Sequence, residues 1–365
     1  MDQPDTAADG ELLLPDTPPA PLGAPPGAVA RWFDAAAEAT APTSDGSLAG
    51  DHAAAEAFRR LATAHNTRSA YRAAVRAWCA WCATHGRPAL PAAPGDVAAF
   101  LAGERARGLA APTLTLRRAA LRYLHRAAGL APPTDDPRVA ETLAGIRRAA
   151  AAAGETPRKV AAATDAILRQ LLAPIPDDLR GLRDRALLIV GFAGALRRAE
   201  IAAITVERLA PTERGLVLEL PQTKGSQAEA VRVPLPYGTT ELCPVRAIRA
   251  WRAAAGVEAG PLFRRIWTPP KARPGEPPSP PRVGTQPLSL QSVGDIVQAR
   301  AAAAGFEPRA FGGHSLKRGA LTTGMSRGAH PAQLRRLGRH KRFDTLGEYL
   351  EFGDLFEGHP LTGTL

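Results

Sequence analysis

The sequence predicts a mainly α-helical protein with one small antiparallel β-sheet, an α+β chain of two domains. The length of 365 residues corresponds to two domains of ordinary size. In the first half, apolar residues recur three and four positions apart between short loops rich in glycine and proline, which is the pattern of a helical bundle. In the second half, two short β-like segments interrupt the same helical spacing.

The first 50 residues are predicted to be a disordered tail with a short helix near Trp32 and Phe33. This segment is rich in proline and alanine and contains few large apolar side chains, so it has little surface to bury. Eight acidic residues and one arginine give it a net charge of −7. We therefore expect residues 1–50 to form an acidic tail that belongs to neither domain.

Residues 51–152 are predicted to form a bundle of four helices. The helices begin near Asn66, after Pro94, after Pro112 and at about Pro137. In the first helix the core-facing side chains are spaced as on one helix face, at Tyr71, Val75, Trp78 and Cys82. Cys79 and Cys82 form a CxxC pair, but no second pair stands at zinc-binding spacing, so we interpret both as core residues.

Residues 153–162 are predicted to be an interdomain linker, and residues 163–365 a second domain. Helices are expected over 167–172 and 182–196, and again from Val293 onward with breaks at 305–313 and around Gly338. Segments 216–220 and 231–235 are expected to form a β-hairpin around the polar stretch 222–229. The proline-dense residues 269–287 are expected to form an exposed loop.

The chain beyond the acidic tail is strongly basic, with 45 Lys and Arg against 27 Asp and Glu, a net charge of +18. Such a charge predicts a polyanionic partner such as nucleic acid. Arg117, Arg118 and Arg122 of the third helix are expected to contact DNA phosphates. A second explanation stays open, because 41 of the 46 basic residues are arginine and a compositional bias would produce the same excess.

Composition and patterning exclude several classes of protein. Three cysteines cannot build a disulfide framework, which indicates a reducing, cytoplasmic setting. The longest apolar run, residues 186–196, is too short to span a bilayer. No basic segment precedes the leucines at positions 12–14, as it would in a signal peptide. We expect a soluble cytoplasmic protein with no membrane partner.

Four short segments of the second half concentrate cationic, imidazole and phenol side chains. They contribute Arg197 and Glu200, then Lys224 on the predicted hairpin, then His314, Lys317 and Arg318, and finally His340 and Tyr349. Each segment alone has an ordinary structural explanation, such as a buried ion pair or a helix cap. The intervals are distinctive, since His340 follows His314 by 26 residues and Tyr349 follows His340 by nine.

In this order and spacing, the segments resemble the tyrosine recombinase (phage integrase) family, and the resemblance covers about residues 60–352. The stretches 66–71 and 78–82 are similar to the family's core-binding domain. The resemblance implies a helical, SAM-like, DNA-binding core-binding bundle over 51–152 and a catalytic integrase domain over 163–365. It also implies roles for the site residues: Arg197 as first catalytic arginine, Glu200 as its acidic companion, Lys224 as hairpin lysine, His314 and His340 as the two histidines, and Tyr349 as nucleophile.

One position departs from the family pattern. The second arginine of the family stands three residues after the first histidine, where this chain has Lys317, followed by Arg318. Residues three apart share a helix face, so His314 and Lys317 can address one phosphate, while Arg318 points about 100° further round. This geometry favours Lys317 for the role and leaves Arg318 as the alternative.

The activity implied by the resemblance is site-specific DNA recombination or integration without metal or other cofactor. The tyrosine attacks a phosphodiester to form a 3′-phosphotyrosyl link, and fixed cations stabilise the charge that develops on the phosphate oxygens. The implied partner is double-stranded DNA, bound by a homotetramer at two sites.

Three alternatives stay open. A catalytically impaired DNA-binding relative would keep the fold, with Lys317 as the mark of lost activity. A metal-dependent nuclease using His314 and His340 is disfavoured, because no matched acidic ligands stand nearby in the sequence. A type IB topoisomerase shares the nucleophilic chemistry, but a helical bundle followed by a short catalytic domain favours the recombinase.

Overall fold

The computed structural model describes residues 19–38, 42–155, 160–220, 231–267 and 280–340. The chain divides into two compact units, Met1–Pro157 and Arg158–Leu365. As predicted, the described residues are mainly helical with short antiparallel strands. No helix among them is long and apolar enough to cross a membrane.

The first unit is a helical bundle. Its helices are α1 (Pro26–Ala36), α2 (Leu48–Leu61), α3 (His65–His85), α4 (Pro94–Ala106), α5 (Ala111–Ala127) and α6 (Pro137–Ala152). The four predicted helices are α3 to α6, and α3 ends where Gly86 adopts a left-handed conformation. The predicted apolar stripe of α3 is buried at Val75, Trp78 and Cys82, and Cys79 also lies in this core.

The predicted disorder of residues 1–50 is wrong for the part that the structure describes. Helix α1 packs against α3, with Val29, Trp32 and Phe33 in the core of the bundle. Trp32 and Phe33 follow Val29 by three and four positions, so one face of a short helix turns all three side chains inward. Burial of their apolar surface stabilises this segment although its composition is rich in proline and alanine. The short helix predicted near Trp32 and Phe33 is confirmed, and residues 1–18 and 39–41 lie outside the described part.

The second unit mixes helices and strands. It contains α7 (Asp165–Leu172), α8 (Leu179–Ala193), α9 (Arg198–Ala202), β1 (Leu209–Thr212), β2 (Gly215–Leu220), β3 (Val231–Pro236), α10 (Pro244–Ala255), β4 (Arg264–Trp267), β5 (Arg282–Pro287), α11 (Leu290–Ala303), α12 (Gly313–Ser326) and α13 (Pro331–Gly338). Strands β1, β2 and β3 form an antiparallel sheet in that order. The predicted pairing of β2 with β3 is confirmed, and residues 221–230 between them lie outside the described residues.

Three local predictions need correction. The described residues form two small sheets where one was predicted, because β4 and β5 pair antiparallel, and β5 lies in the segment predicted as a loop. Strand β5 is too short and proline-flanked to show alternation, but Gly284 leaves room for the Trp267 ring, which a β-carbon would overlap. Helix α8 stops at Ala193 and not at residue 196, because Gly194 and the left-handed Ala195 turn the chain.

Helix α8 is the centre of the second unit. Residues 186–190 are almost fully buried, and the helix packs against α10 and α12. A β-carbon at Gly191 would overlap Leu316 of α12, so this glycine permits the close approach of the two helices. The packing places the beginning of α12 beside the turn that follows α8.

Candidate active site

The turn between α8 and α9 holds Arg197 and Glu200. Arg197 caps the beginning of α9, and its backbone N–H donates to Glu200 Oε2 at 2.7 Å. The Arg197 Nη1 donates to Glu200 Oε1 at 2.8 Å. Glu200 is buried, whereas the Arg197 side chain keeps 38% of its exposure. The carboxylate therefore orients a guanidinium that stays open to solvent.

A second arginine, Arg339, contacts the same carboxylate from a distant part of the sequence. It directly follows α13, and its Nη2 donates to Glu200 Oε2 at 2.6 Å. The same side chain donates to the carbonyl oxygens of Gly194 and Ala195 at 2.9 and 2.8 Å. Arg339 thus ties the end of α13 to the α8–α9 turn.

The first turn of α12 contributes His314 and Lys317. Lys317 is fully buried, and its Nζ donates to the carbonyl oxygen of Gly338. Burial and the charges of Arg197 and Arg339 lower the pKa of Lys317 to about 7, although Glu200 opposes the shift. Lys317 therefore lies next to the other cations of the site, as its spacing from His314 predicted.

Arg318 points elsewhere. Its Nη1 donates to the carbonyl oxygen of Val160, in the segment that leads into α7. Next to it, α12 and residue 163 approach closely, because a β-carbon at Gly319 would overlap the carbonyl oxygen of Ala163. Of the two candidates for the second-arginine position, the structure brings Lys317 to the site and uses Arg318 to hold residues 160–163 against α12.

The surroundings of the two histidines of the site lower the pKa of both and so favour the neutral imidazoles. Partial desolvation and the charges of Lys317, Arg197 and Arg198 lower the pKa of His314. His340 is buried, and burial together with the charges of Lys317, Arg197 and Arg339 lowers its pKa to about 4. A neutral imidazole can both donate and accept a hydrogen bond, which suits proton transfer.

Among the described residues of the site, cationic groups outnumber carboxylates. Arg197, Lys317 and Arg339 all act on the carboxylate of Glu200. Burial alone would raise the pKa of Glu200, but the Arg339 charge and the hydrogen bonds from Arg197 outweigh it, and the pKa is lowered. The excess charge and the open Arg197 guanidinium make the site suitable for an oxyanion.

Two predicted catalytic residues, Lys224 and Tyr349, lie outside the described residues. Sequence reasoning also missed one residue that the structure places in the site, Arg339. Its only signal was its position directly before His340. Within the described residues, no group of three or more His, Cys, Asp and Glu side chains could hold a metal ion.

The three arginines predicted to contact DNA all have partners within the first unit. Arg117 pairs with Glu104 and lies over the Phe100 ring, Arg118 donates to the Thr134 carbonyl oxygen at 2.9 Å, and Arg122 pairs with Asp135 at 3.1 Å. The Arg117 side chain is only 17% exposed. Their contacts with DNA stay a prediction.

Residues 57–130 match the family described as phage integrase, N-terminal SAM-like domain. An integrase/recombinase xerD homolog of Selenomonas ruminantium is 32% identical over 296 residues, which cover 78% of this chain and 80% of the relative. The recombinase cre of Escherichia phage P1 is 32% identical over 198 residues, 52% of this chain and 56% of the relative.

Solved structures share the fold. The XerH site-specific recombinase, bound to a palindromic difH substrate in a post-cleavage complex, superposes with a TM-score of 0.59 at 12% identity, covering 95% of this chain and 97% of that one. The Tn1549 transposon integrase in complex with transposon right end DNA has a TM-score of 0.55 at 13% identity and covers 85% and 97%. Both are similar in architecture to the chain described above.

Proposed function

The chain belongs to the tyrosine recombinase family, and on this premise we propose that it cleaves and rejoins double-stranded DNA at specific sites through a covalent 3′-phosphotyrosyl intermediate. One observation carries the proposal. Three separate stretches of the second unit bring Arg197, His314, Lys317 and His340 around the buried carboxylate of Glu200. The matching relatives are named as recombinases or integrases.

Arg197 is the group that binds the scissile phosphate. Glu200 accepts a hydrogen bond from one Nη atom of Arg197. The remaining N–H groups of the partly exposed guanidinium are available to two phosphate oxygens. Such fixed donors stabilise the negative charge that grows on the non-bridging oxygens as phosphorus becomes five-coordinate. Lys317 adds a second positive charge, and an approaching phosphate favours its protonated form because the two charges attract.

The chemical step breaks one P–O bond and forms another. The Tyr349 hydroxyl oxygen attacks phosphorus and gives up its proton to a neutral imidazole, for which His314 and His340 are the available groups. The bond to the 5′ oxygen breaks, and that oxygen takes a proton from Lys224. The 3′-phosphotyrosyl link preserves the bond energy, so a 5′ hydroxyl reverses the same steps to rejoin the strand.

The finer features of the function belong to the same proposal. The protein acts as a homotetramer on two DNA duplexes, and Arg117, Arg118 and Arg122 contact the backbone of the bound DNA. It works in the cytoplasm, which agrees with three free cysteines. Sedimentation of the protein with its DNA site measures the mass of the complex and so tests the tetramer. A complex that contains only one protein molecule would contradict this part of the proposal.

A nicked duplex tests the covalent intermediate. When a nick lies beside the scissile phosphate, the short cleaved fragment diffuses away and the protein–DNA adduct accumulates on a denaturing gel. Candidate duplexes come from the DNA on both sides of the gene and from a randomised pool enriched by binding to the protein. We expect the adduct with the unaltered protein and with the control Tyr237→Phe, and none with Tyr349→Phe, which still binds DNA.

The same assay distinguishes the alternatives. A DNA-binding relative without activity binds the enriched duplex and forms no adduct. A metal-dependent nuclease releases product only when a divalent cation is added. A topoisomerase forms the adduct and relaxes supercoiled DNA but does not join two duplexes. An adduct that survives in Tyr349→Phe contradicts the assignment of the nucleophile.

A further inference from the structure

We propose that Arg339 is a positioning residue of the active site, which sets the orientation of Arg197 through Glu200 and joins that pair to the chain segment that carries His340. The inference rests on the proposed function. It concerns a residue for which the sequence indicated no role.

The contacts of Arg339 converge on the turn that presents Arg197. Its Nη2 reaches Glu200 Oε2 at 2.6 Å, and that same oxygen accepts the Arg197 backbone N–H at 2.7 Å. Its guanidinium also holds the Gly194 and Ala195 carbonyl oxygens. One side chain therefore fixes both the carboxylate that orients Arg197 and the backbone from which Arg197 projects.

The backbone of Arg339 is unfavourable for any residue with a β-carbon. Its φ is 54°, a left-handed conformation that glycine adopts without strain. Among the described residues, only one other non-glycine residue has a positive φ, and it is Ala195, whose carbonyl oxygen Arg339 holds. An arginine in a place where glycine fits better indicates that the side chain performs a function there.

Arg339 acts through its neighbours and not on DNA directly. Its side chain is only 12% exposed, against 38% for Arg197, and both of its Nη atoms already donate to Glu200 and backbone carbonyls. Its charge also reaches Lys317 and His340 and helps to lower the pKa of both. Loss of Arg339 should therefore loosen Arg197 and raise the pKa of Lys317.

The test uses single-turnover cleavage of the enriched nicked duplex at saturating protein. Arg339→Gly removes the side chain and relieves the left-handed strain, so the fold is retained. We expect it to bind the duplex nearly as well as the unaltered protein and to cleave on the order of 10²-fold more slowly, the size of effect that a small misplacement of a catalytic group produces. Arg336→Gln, which removes a charge from the exposed face of α13, is the control and should cleave at the unaltered rate.

Three further measurements separate positioning from a merely structural role. Arg339→Lys keeps the charge but gathers its donors on a single nitrogen, so it should recover part of the rate. The double variant Glu200→Gln with Arg339→Gln should cleave no more slowly than the worse single variant, because both act on Arg197. In Arg339→Gln, the decline of the subsaturating cleavage rate with rising pH should move to higher pH, whereas a general loss of folding lowers the rate equally at every pH.

The inference is overturned if Arg339→Gly and Arg339→Gln cleave at the rate of the unaltered protein. It is equally overturned if the rate losses of Glu200→Gln and Arg339→Gln multiply in the double variant. The inference is also overturned if the slower cleavage by the Arg339 variants is fully explained by a smaller folded fraction or by weaker DNA binding. Failure of the proposed function looks different, because the unaltered protein then forms no adduct on a duplex that it binds.

Discussion

The ammonium group of Lys317 donates a hydrogen bond to the carbonyl oxygen of Gly338, two residues before His340. The contact joins the first turn of α12 to the end of α13, and it lies where the charges of Arg197 and Arg339 act on the lysine. A β-carbon at Gly338 would overlap the His340 ring, so the glycine lets the imidazole fold back beside the lysine. Lys317 is thus a buried cation at the junction of the segments that form the site.

The role of Lys317 is tested by comparing it with its neighbour. We expect Lys317→Ala to slow cleavage of the nicked duplex by on the order of 10²-fold or more, because a cation of the transition state is lost. Arg318→Ala should cost much less in cleavage, since its side chain is directed to Val160. A larger loss for Arg318→Ala would exchange the two roles, and no loss for either would remove the support for an active recombinase.

The protonation of Lys317 predicts how cleavage depends on pH. Its pKa of about 7 means that the free enzyme loses this charge as the pH rises through neutrality. We expect Lys317→Arg to retain activity and to keep its charge, so the ratio of its rate to that of the unaltered protein should rise between about pH 6 and about pH 9. Rates at subsaturating duplex report the free enzyme. A flat ratio would show that the charge of Lys317 is not used.

Short-range patterns explain which parts of the site could be predicted. His314 and Lys317 are three residues apart on one helix, so the i, i+3 rule favoured Lys317 over Arg318. The hydrogen bond of Arg318 to Val160 agrees with that preference. The core stripe of α3 followed from the same periodicity, because burial on one face is what imposes it. Membership of the family and the mainly helical fold were predicted from such local signals, and both are confirmed.

Long-range contacts explain what could not be predicted. Arg339 meets Glu200 across 139 residues of chain, and no spacing rule relates two such positions. The packing of helix α1 into the bundle was missed because composition averages over 50 residues, whereas Val29, Trp32 and Phe33 form one buried cluster once α3 provides a surface. Strand β5 exists only through its pairing with β4.

The burial of α1 predicts a stability effect in a segment that the sequence predicted to be a disordered tail. We expect Phe33→Ala to lower the free energy of unfolding by about 3 to 5 kcal/mol, because a fully buried ring leaves a cavity in the bundle. Phe58→Ala on α2 is the matched control, since that ring is 62% exposed, and it should change stability by less than about 0.5 kcal/mol. Urea unfolding of both variants measures the difference, and equal stabilities would contradict the packing of α1 in the core.

A buried lysine that serves catalysis should weaken the fold, and Lys317 allows a direct test. Its pKa lies at about 7 in the folded protein against 10.5 ordinarily, so the unfolded chain binds more protons between these values. The cost to stability is therefore fully present below about pH 7 and disappears as the pH rises toward the unfolded value. We expect Lys317→Met to fill the same space, to slow cleavage about as much as Lys317→Ala does, and to raise the free energy of unfolding at pH 7 by on the order of 1 to 4 kcal/mol, as the replacement of buried charges by apolar side chains often does. Unfolding measured at about pH 6 and at about pH 9 should show the larger gain at the lower pH. A variant that is less stable than the unaltered protein at both pH values would mean that Lys317 is retained for the fold and not for the reaction.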